Sequence, residues 1–168
     1  VPSQDMVLGL YYITKIRPGA KGEGLKFYGP EEAIVAFNEK RCEEHALVKC
    51  IVDDIDEQGR PIKHMVETSV GRIIVNEIIP KELGFFNGII SKKSLRNLIS
   101  ADVKKVGKAR ACTFLDGIKN LGYKMSYLAG LSFNLDDIIV PPEKAEIVKK
   151  GQDEADEVQA NFDRSEER

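Results

Sequence analysis

The sequence of 168 residues contains no tryptophan, only two histidines and only three cysteines. Cys42, Cys50 and Cys112 form no C-x-x-C pair and leave an odd number, which argues against a disulfide scaffold and favours reduced thiols in a cytoplasmic protein. A histidine-rich zinc site is equally disfavoured, because His45 and His64 are the only histidines.

Long apolar runs are also missing. No segment has the length that a bilayer requires, and nothing at the start resembles a signal peptide, so we expect no membrane partner. The net charge of −2 argues against a free-standing DNA-binding protein but leaves room for a local basic surface. The sequence opens on Val1 and Pro2 and enters an apolar segment at once, which suggests a piece cut from a longer chain.

The residue patterns that are present predict an α+β fold. With 42% hydrophobic residues, the chain can bury the core of one globular domain. Alternating, Val- and Ile-rich residues 46–55 and 62–75 predict a β-hairpin or small antiparallel sheet, joined by turn residues 56–60. Near Gly71 the second strand is expected to give way to a short helix. Several helices and a projecting C-terminal helix complete the prediction.

The first predicted helix covers residues 6–13 and is apolar on nearly every face. Such a helix is typical of a fully buried position. Ser3 is the expected N-cap, and Asp5 places a negative charge in the first turn. A second helix is predicted from Pro30 to about Arg41, since proline and acidic residues favour a helix start.

Two further helices form a predicted helical hairpin. Ser91 is expected to cap the first, whose apolar residues recur at helical spacing up to a stop at Gly107. The second is predicted over residues 109–121 with a similar stop at Gly122. Their short connection favours antiparallel packing.

The composition changes at Pro141, so we predict one domain over residues 1–140 and the start of an arm over residues 141–168. Within the arm, small and apolar residues recur at steps of three and four on a charged helix spanning residues 142–162. This heptad seam needs a partner helix and indicates half of a coiled-coil arm. The seam consists of Val148, Gly151, Ala155, Val158 and Phe162.

Two acidic motifs could suggest metal binding. Residues 54–59 resemble the opening of an EF-hand loop, but Met65 stands where the bidentate glutamate is required, so a hairpin turn is preferred. Asp136 and Asp137 could hold magnesium, yet adjacent carboxylates seldom converge on one ion, and turn capping is preferred. We therefore predict no metal site.

The densest positive charge lies in residues 92–110, with only Asp102 opposing it. This stretch could attract RNA, DNA or nucleotide phosphates, or it could be a solvated helix face, and on composition alone the solvated face is preferred. Its basic residues are Lys92, Lys93, Arg96, Lys104, Lys105, Lys108 and Arg110.

Four segments, in the same order, resemble the β′ subunits of bacterial multisubunit RNA polymerases. They are VPSQDMVLGLYYIT (residues 1–14), ETSVGR (67–72), ISKKSL (90–95) and GLSF (130–133), the last running on to Asp136, Asp137 and Pro141. The resemblance covers nearly the whole chain up to about residue 160. It implies the pore and funnel part of β′, which lines the secondary channel for nucleoside triphosphates and backtracked RNA.

The resemblance also implies roles for single residues. Gln4 and Asp5 are expected near the active centre, and Lys92, Lys93 and Arg96 are candidates for the channel lining. The seam helix corresponds to the first half of the rim coiled coil, where transcript-cleavage-type factors dock.

The cofactor and partners expected on the same grounds belong to the parent enzyme. The catalytic Mg²⁺ is bound by an Asn-Ala-Asp-Phe-Asp-Gly-Asp signature that does not occur in this sequence, so we expect no cofactor here and no activity from the piece alone. The implied partners are the rest of β′, the other polymerase subunits, template DNA, RNA and nucleoside triphosphates. A regulatory-factor docking module or a nucleic-acid-binding module without catalysis is the alternative.

Overall fold

The structure, a computed structural model, describes residues 2–56, 58–132 and 134–166. Helices packed with a small sheet confirm the predicted α+β class. The α-helices and strands of the described ranges are α1 Asp5–Thr14, β1 Lys26–Phe27, α2 Pro30–Asn38, β2 Leu47–Ile55, β3 Pro61–Ser69, α3 Val70–Asn76, α4 Lys92–Lys105, α5 Lys108–Ala129 and α6 Lys144–Glu166. Two short 3-10 helices cover Lys81–Leu83 and Leu135–Asp137.

The predicted hairpin is confirmed. β2 and β3 pair antiparallel, from Leu47 opposite Ser69 to Ile55 opposite Pro61. The Asp56 carboxylate accepts the backbone N–H of Gln58 at 2.9 Å and that of Arg60 at 2.8 Å, which is turn chemistry rather than ion binding. Glu57, part of the predicted turn, lies outside the described residues.

The sheet is nevertheless mixed, because a third strand was missed. β1 pairs parallel with β2, with Lys26 opposite Lys49. A strand of two residues is too short to produce an alternating pattern. The predicted change from strand to short helix near Gly71 is confirmed, since β3 ends at Ser69 and α3 begins at Val70. The Ser69 hydroxyl accepts the backbone N–H of Arg72 and caps α3.

Two apolar clusters form the interior of the first compact unit, Val1–Leu131. One lies between the sheet and α2, and includes Val48, Val52 and Ala33. The other lies between the helices, where Leu10 of α1 and Ile118 of α5 are fully buried. Leu95, in the first turn of α4, is buried in the same cluster, so α1, α4 and α5 share one apolar interior.

The helix end predicted at Gly122 is wrong, since α5 continues to Ala129 and ends at Gly130 in the left-handed conformation, with φ 58°. Gly122 instead permits a close crossing of α1 and α5. A Cβ atom there would lie 2.5 Å from the carbonyl oxygen of Met6. Gly9 of α1 faces the same crossing, because its Cβ would lie 2.7 Å from the backbone nitrogen of Ser126.

Two predictions for α1 are also wrong. Its N-cap is Gln4 rather than Ser3, and no side chain caps the helix. The helix is not buried on all sides in the described chain, because Leu8 is 44% exposed and Tyr11 is 42% exposed. Because α1 is apolar on nearly every face, its sequence did not indicate which face packs against the rest of this chain.

The second compact unit, Ser132–Arg168, contains a short turn and α6. The Asp137 carboxylate accepts the backbone N–H of Asn134 at 2.8 Å, in agreement with the preferred capping role. The domain boundary between residues 140 and 141 stays a prediction. Within the described residues, no helix is both long enough and apolar enough to cross a lipid bilayer.

Candidate functional site

A shallow cleft of about 380 Å³ lies between the start of α1 and the start of α4. Gln4 and Tyr11 line it from α1, while Ser91 and Lys92 line it from the other side. Two residues predicted separately, Gln4 near an active centre and Lys92 in a channel wall, thus border one cleft. Asp5 is exposed beside it in sequence but is not among the lining residues.

The start of α4 is fixed by a reciprocal pair of serine hydrogen bonds. The Ser91 hydroxyl accepts the backbone N–H of Ser94 at 3.2 Å, and the Ser94 hydroxyl accepts that of Ser91 at 2.7 Å. This capping box satisfies donors that a helix start otherwise leaves unpaired. The backbone that carries Lys92 and Lys93 is therefore held in a defined place.

Lys92, Lys93 and Arg96 are all exposed, and none of them forms an ion pair within the described ranges. Spacings of three and four residues place Arg96 beside both lysines on the helix surface. The first turn of α4 contains no acidic residue. Positive charge at a helix start is unfavourable by about 0.3–1 kcal/mol per group. The two lysines therefore do not serve the stability of the helix. They concentrate positive charge at its start, where Lys92 lines the cleft.

The C-terminal part of the basic stretch is engaged differently. Arg110 Nη1 lies 2.6 Å from Glu82 Oε1, and Lys105 Nζ donates to the Glu82 carbonyl oxygen at 3.4 Å. Hydrogen bonding, above all to the Glu82 backbone and then to Arg110, lowers the pKa of the Glu82 carboxyl. In the sequence, residues 92–110 form one basic stretch. In the described structure, Lys105 and Arg110 near its C-terminal end bind Glu82, whereas the three basic residues at its start form no ion pair.

Gln4 has an unusual backbone conformation, with φ 50° and ψ −126°. A positive φ at a residue other than glycine costs about 1–3 kcal/mol and is found preferentially at functional sites. The Gln4 carbonyl oxygen accepts the N–H groups of Val7 and Leu8, both at 3.0 Å, so the strained residue is built into the first turn of α1.

A polar junction between α1 and the approach to α4 was not predicted. The Thr14 hydroxyl accepts the backbone N–H of Ile90 at 3.0 Å, and Arg72 Nε donates to the Thr14 carbonyl oxygen at 3.0 Å. Arg72 Nη1 also donates to Asn87 Oδ1 at 2.9 Å. The only sequence signal was that Arg72 ends the ETSVGR segment.

Metal and nucleophile chemistry find no support in the described residues. They contain no cluster of three or more histidine, cysteine or acidic side chains that could hold a metal ion. Burial, followed by the charges of Glu32 and Glu31, raises the pKa of the Cys50 thiol to about 11, so it stays protonated. Buried His45 packs on Tyr12 with ring centroids 4.6 Å apart, which is a structural role.

The predicted seam of α6 is exposed along the helix. Val148 is 59% exposed, Val158 is 69% exposed and Phe162 is 55% exposed. Gly151 and Ala155 are exposed as well. Nothing in the second unit tests whether a partner helix covers them, and the seam stays a prediction.

Residues 1–138 match the protein family described as RNA polymerase Rpb1, domain 3. The chain belongs to this family. It is also similar to proteins named DNA-directed RNA polymerase subunit beta′. One from Phocaeicola vulgatus is 62% identical over 163 residues, and one from Bacteroides fragilis strain YCH46 is 64% identical over 162 residues.

A third relative, from Amoebophilus asiaticus, is 44% identical over 167 residues. Each match covers 96% of this chain but only 11% or 12% of the relative, so the chain spans about one ninth of their length. The resemblance to bacterial β′ subunits is confirmed. Val1 and Phe133, which belong to two of the four segments, lie outside the described residues.

Proposed function

We propose that this chain is a structural part of the β′ subunit of a DNA-directed RNA polymerase and lines the secondary channel that admits nucleoside triphosphates and backtracked RNA. The proposal rests chiefly on Lys92, which lines the same cleft as Gln4, and on two further exposed basic residues in the adjoining part of α4, Lys93 and Arg96. Positive charge in a concave site raises the local concentration of anionic ligands. The amide of Gln4 adds a hydrogen-bonding group at the same place.

The chemistry of nucleotidyl transfer is assigned to another part of the parent enzyme. Metal ions stabilise the attacking and leaving oxygens in such reactions. The described residues do not fit a catalytic metal, since no acidic cluster is present among them and the aspartate-rich signature is absent from the sequence. We therefore propose that Mg²⁺ is held by a different segment and that this chain alone polymerises nothing.

Replacing Lys92 and Lys93 with glutamate in the complete polymerase should raise the apparent KM for nucleoside triphosphates by about tenfold at low salt and by less at high salt. Loss of attraction for phosphate is the reason, and cleavage of backtracked RNA should change with it. Steady-state elongation kinetics at two ionic strengths measure the effect. Unchanged KM together with unchanged cleavage would contradict the channel assignment.

Lys104→Glu is the matched control, because Lys104 is exposed on the same helix but at its opposite end. At physiological ionic strength it should leave KM within about twofold of the original value, since the effects of exposed charges more than about 8 Å apart are then largely screened. A loss of helix stability would not explain a rise in KM for the double variant alone. Glutamate at the start of α4 suits the helix dipole better than lysine does, whereas glutamate at Lys104, in the last turn, suits it less well.

The exposure of α6 supports a second candidate, a docking site for transcript-cleavage-type factors. Reversing charges within residues 143–163 of the complete polymerase should weaken factor binding by about tenfold while leaving elongation without the factor unchanged. Titration with the factor measures the first quantity and a primer-extension assay the second. Lys119→Glu, on the exposed side of α5, serves as the control. Unaltered factor affinity would exclude α6 as the docking surface.

A free-standing nucleic-acid-binding protein is the remaining alternative. It requires salt-dependent affinity of the isolated chain for RNA or DNA. The net charge of −2 argues against it.

A further inference from the structure

Arg72 occupies the junction between the sheet, the end of α1 and the segment that leads to α4. Its Nε donates at 3.0 Å to the carbonyl oxygen of Thr14, the last residue of α1, and its Nη1 donates at 2.9 Å to Asn87 Oδ1. The planar guanidinium fork fixes the angle between these two bonds. One side chain therefore sets both the distance and the direction between two distant parts of the chain.

Asn87 is held from two further sides. Its Oδ1 also accepts the Thr68 hydroxyl at 2.9 Å, and its Nδ2 donates to the Glu67 carbonyl oxygen at 2.9 Å. Shortly after Asn87, the backbone N–H of Ile90 donates to the hydroxyl of Thr14 at 3.0 Å. Arg72 and Ile90 thus bind the same residue, Thr14, at its carbonyl and its hydroxyl, and Ser91 follows directly as the N-cap of α4.

Placing an arginine at this position costs hydration free energy. Arg72 is partly buried, and burial lowers the pKa of its guanidinium, yet none of the ion pairs formed within the described residues includes it. A partly buried charge that binds only neutral acceptors loses hydration, and no attraction to an opposite charge offsets that loss. A neutral hydrogen-bond donor would avoid this loss. We therefore attribute the arginine to its ability to donate two hydrogen bonds in fixed directions, to Thr14 and to Asn87.

We propose that Arg72 is a positioning residue, which through Thr14 and Asn87 fixes the start of α4 against α1 and so sets the spacing of Lys92 and Gln4 across the cleft. This inference rests on the proposed channel function of that cleft. It adds a residue that lies outside the cleft lining.

The test uses the complete polymerase carrying Arg72→Lys. Lysine keeps the charge but cannot supply two donors in a fixed plane, so we expect the apparent KM for nucleoside triphosphates to rise about two- to tenfold with kcat unchanged. Asn87→Ala removes the second acceptor at an exposed position and should give the same KM change even if Arg72→Lys assembles poorly. Arg41→Lys, at an arginine with 74% side-chain exposure, is the matched control and should change nothing.

A double-mutant cycle separates positioning from general structural damage. If Arg72 acts through the lysines, Arg72→Lys should have no further effect on KM once Lys92 and Lys93 are alanine. Equal effects in both backgrounds, or a fall in kcat with KM unchanged, would overturn the proposal. If the alanine pair raises KM but Arg72→Lys and Asn87→Ala do not, positioning fails and the channel function stands. If the alanine pair changes neither KM nor the cleavage of backtracked RNA, the channel function fails and the positioning role fails with it.

Discussion

Alanine at Gly9 should destabilise the 168-residue chain by about 3 kcal/mol, the upper range for overpacking a core. The added Cβ would overlap the carbonyl oxygen of Gly122 and lie 2.7 Å from the backbone nitrogen of Ser126. Both are backbone atoms of α5, so relief requires the two helices to move apart. Alanine is the better helix former by about 1 kcal/mol, which means that the clash reverses the sign of an otherwise stabilising change. Urea unfolding followed by far-UV circular dichroism measures the difference.

The same substitution at Gly151 should stabilise the helix that contains it. Gly151 lies within α6, and a Cβ atom there meets nothing within 4 Å. Without a clash, only the difference in helix propensity remains. The helicity of α6 should rise, and the free energy of helix formation should become more favourable by up to about 1 kcal/mol. An unfolding midpoint for Gly9→Ala equal to that of the unaltered chain would mean that α1 and α5 do not cross this closely.

The same glycines explain where sequence analysis succeeded and where it failed on the fold. The start of α4 could be predicted because Ser91 and Ser94 act within one turn of chain. Gly122 could not be interpreted correctly, because glycine marks both helix ends and close backbone approaches. Which of the two applies depends on Gly9, far away in sequence. β1 was missed because its two residues owe their conformation to pairing with β2.

For the candidate site, the sequence predicted residues but not their arrangement. Gln4 and Lys92 were singled out separately through the resemblance, and the cleft that joins them follows from contacts between distant segments. Arg72 was missed because nothing local distinguishes a partly buried arginine from a solvated one. Asp102 was taken as a charge opposing the basic stretch, whereas it is fully buried. Burial of a polar residue is a tertiary property that its neighbours in sequence do not encode.

Asp102→Asn should stabilise the chain at neutral pH, by about 1.4 kcal/mol for every unit by which folding raises the pKa of the Asp102 carboxyl, because asparagine never takes the ionised form. Asp102 is 0% exposed, and among the described residues neither carboxylate oxygen has a hydrogen-bond partner. Burial raises the pKa of the Asp102 carboxyl, the charge of Arg110 opposes that rise and the charge of Glu82 adds to it. The penalty therefore comes from burying the ionised form, which asparagine never adopts.

The stability gained by Asp102→Asn should depend on pH. Below the ordinary aspartate pKa of about 3.9, the folded and the unfolded chain both hold the proton, and Asp102 carries no burial penalty from charge. As the pH rises past that value, the unfolded chain releases its proton while the folded chain retains it, so the free energy of unfolding falls until the pH exceeds the raised pKa. The advantage of Asp102→Asn should thus be present at pH 7 and shrink as the pH falls towards 4.

Urea unfolding at several pH values between 4 and 7 measures the expected difference. Asp116→Asn is the matched control, because that carboxylate is on α5 with 70% of its side chain exposed. Its effect should stay within about 0.5 kcal/mol at every pH, as is usual for surface substitutions. A gain for Asp102→Asn that is the same at pH 4 and pH 7 would show that shape rather than charge is responsible. A loss of stability at pH 7 would mean that the Asp102 carboxylate has a donor, since only a paired buried charge stabilises the fold.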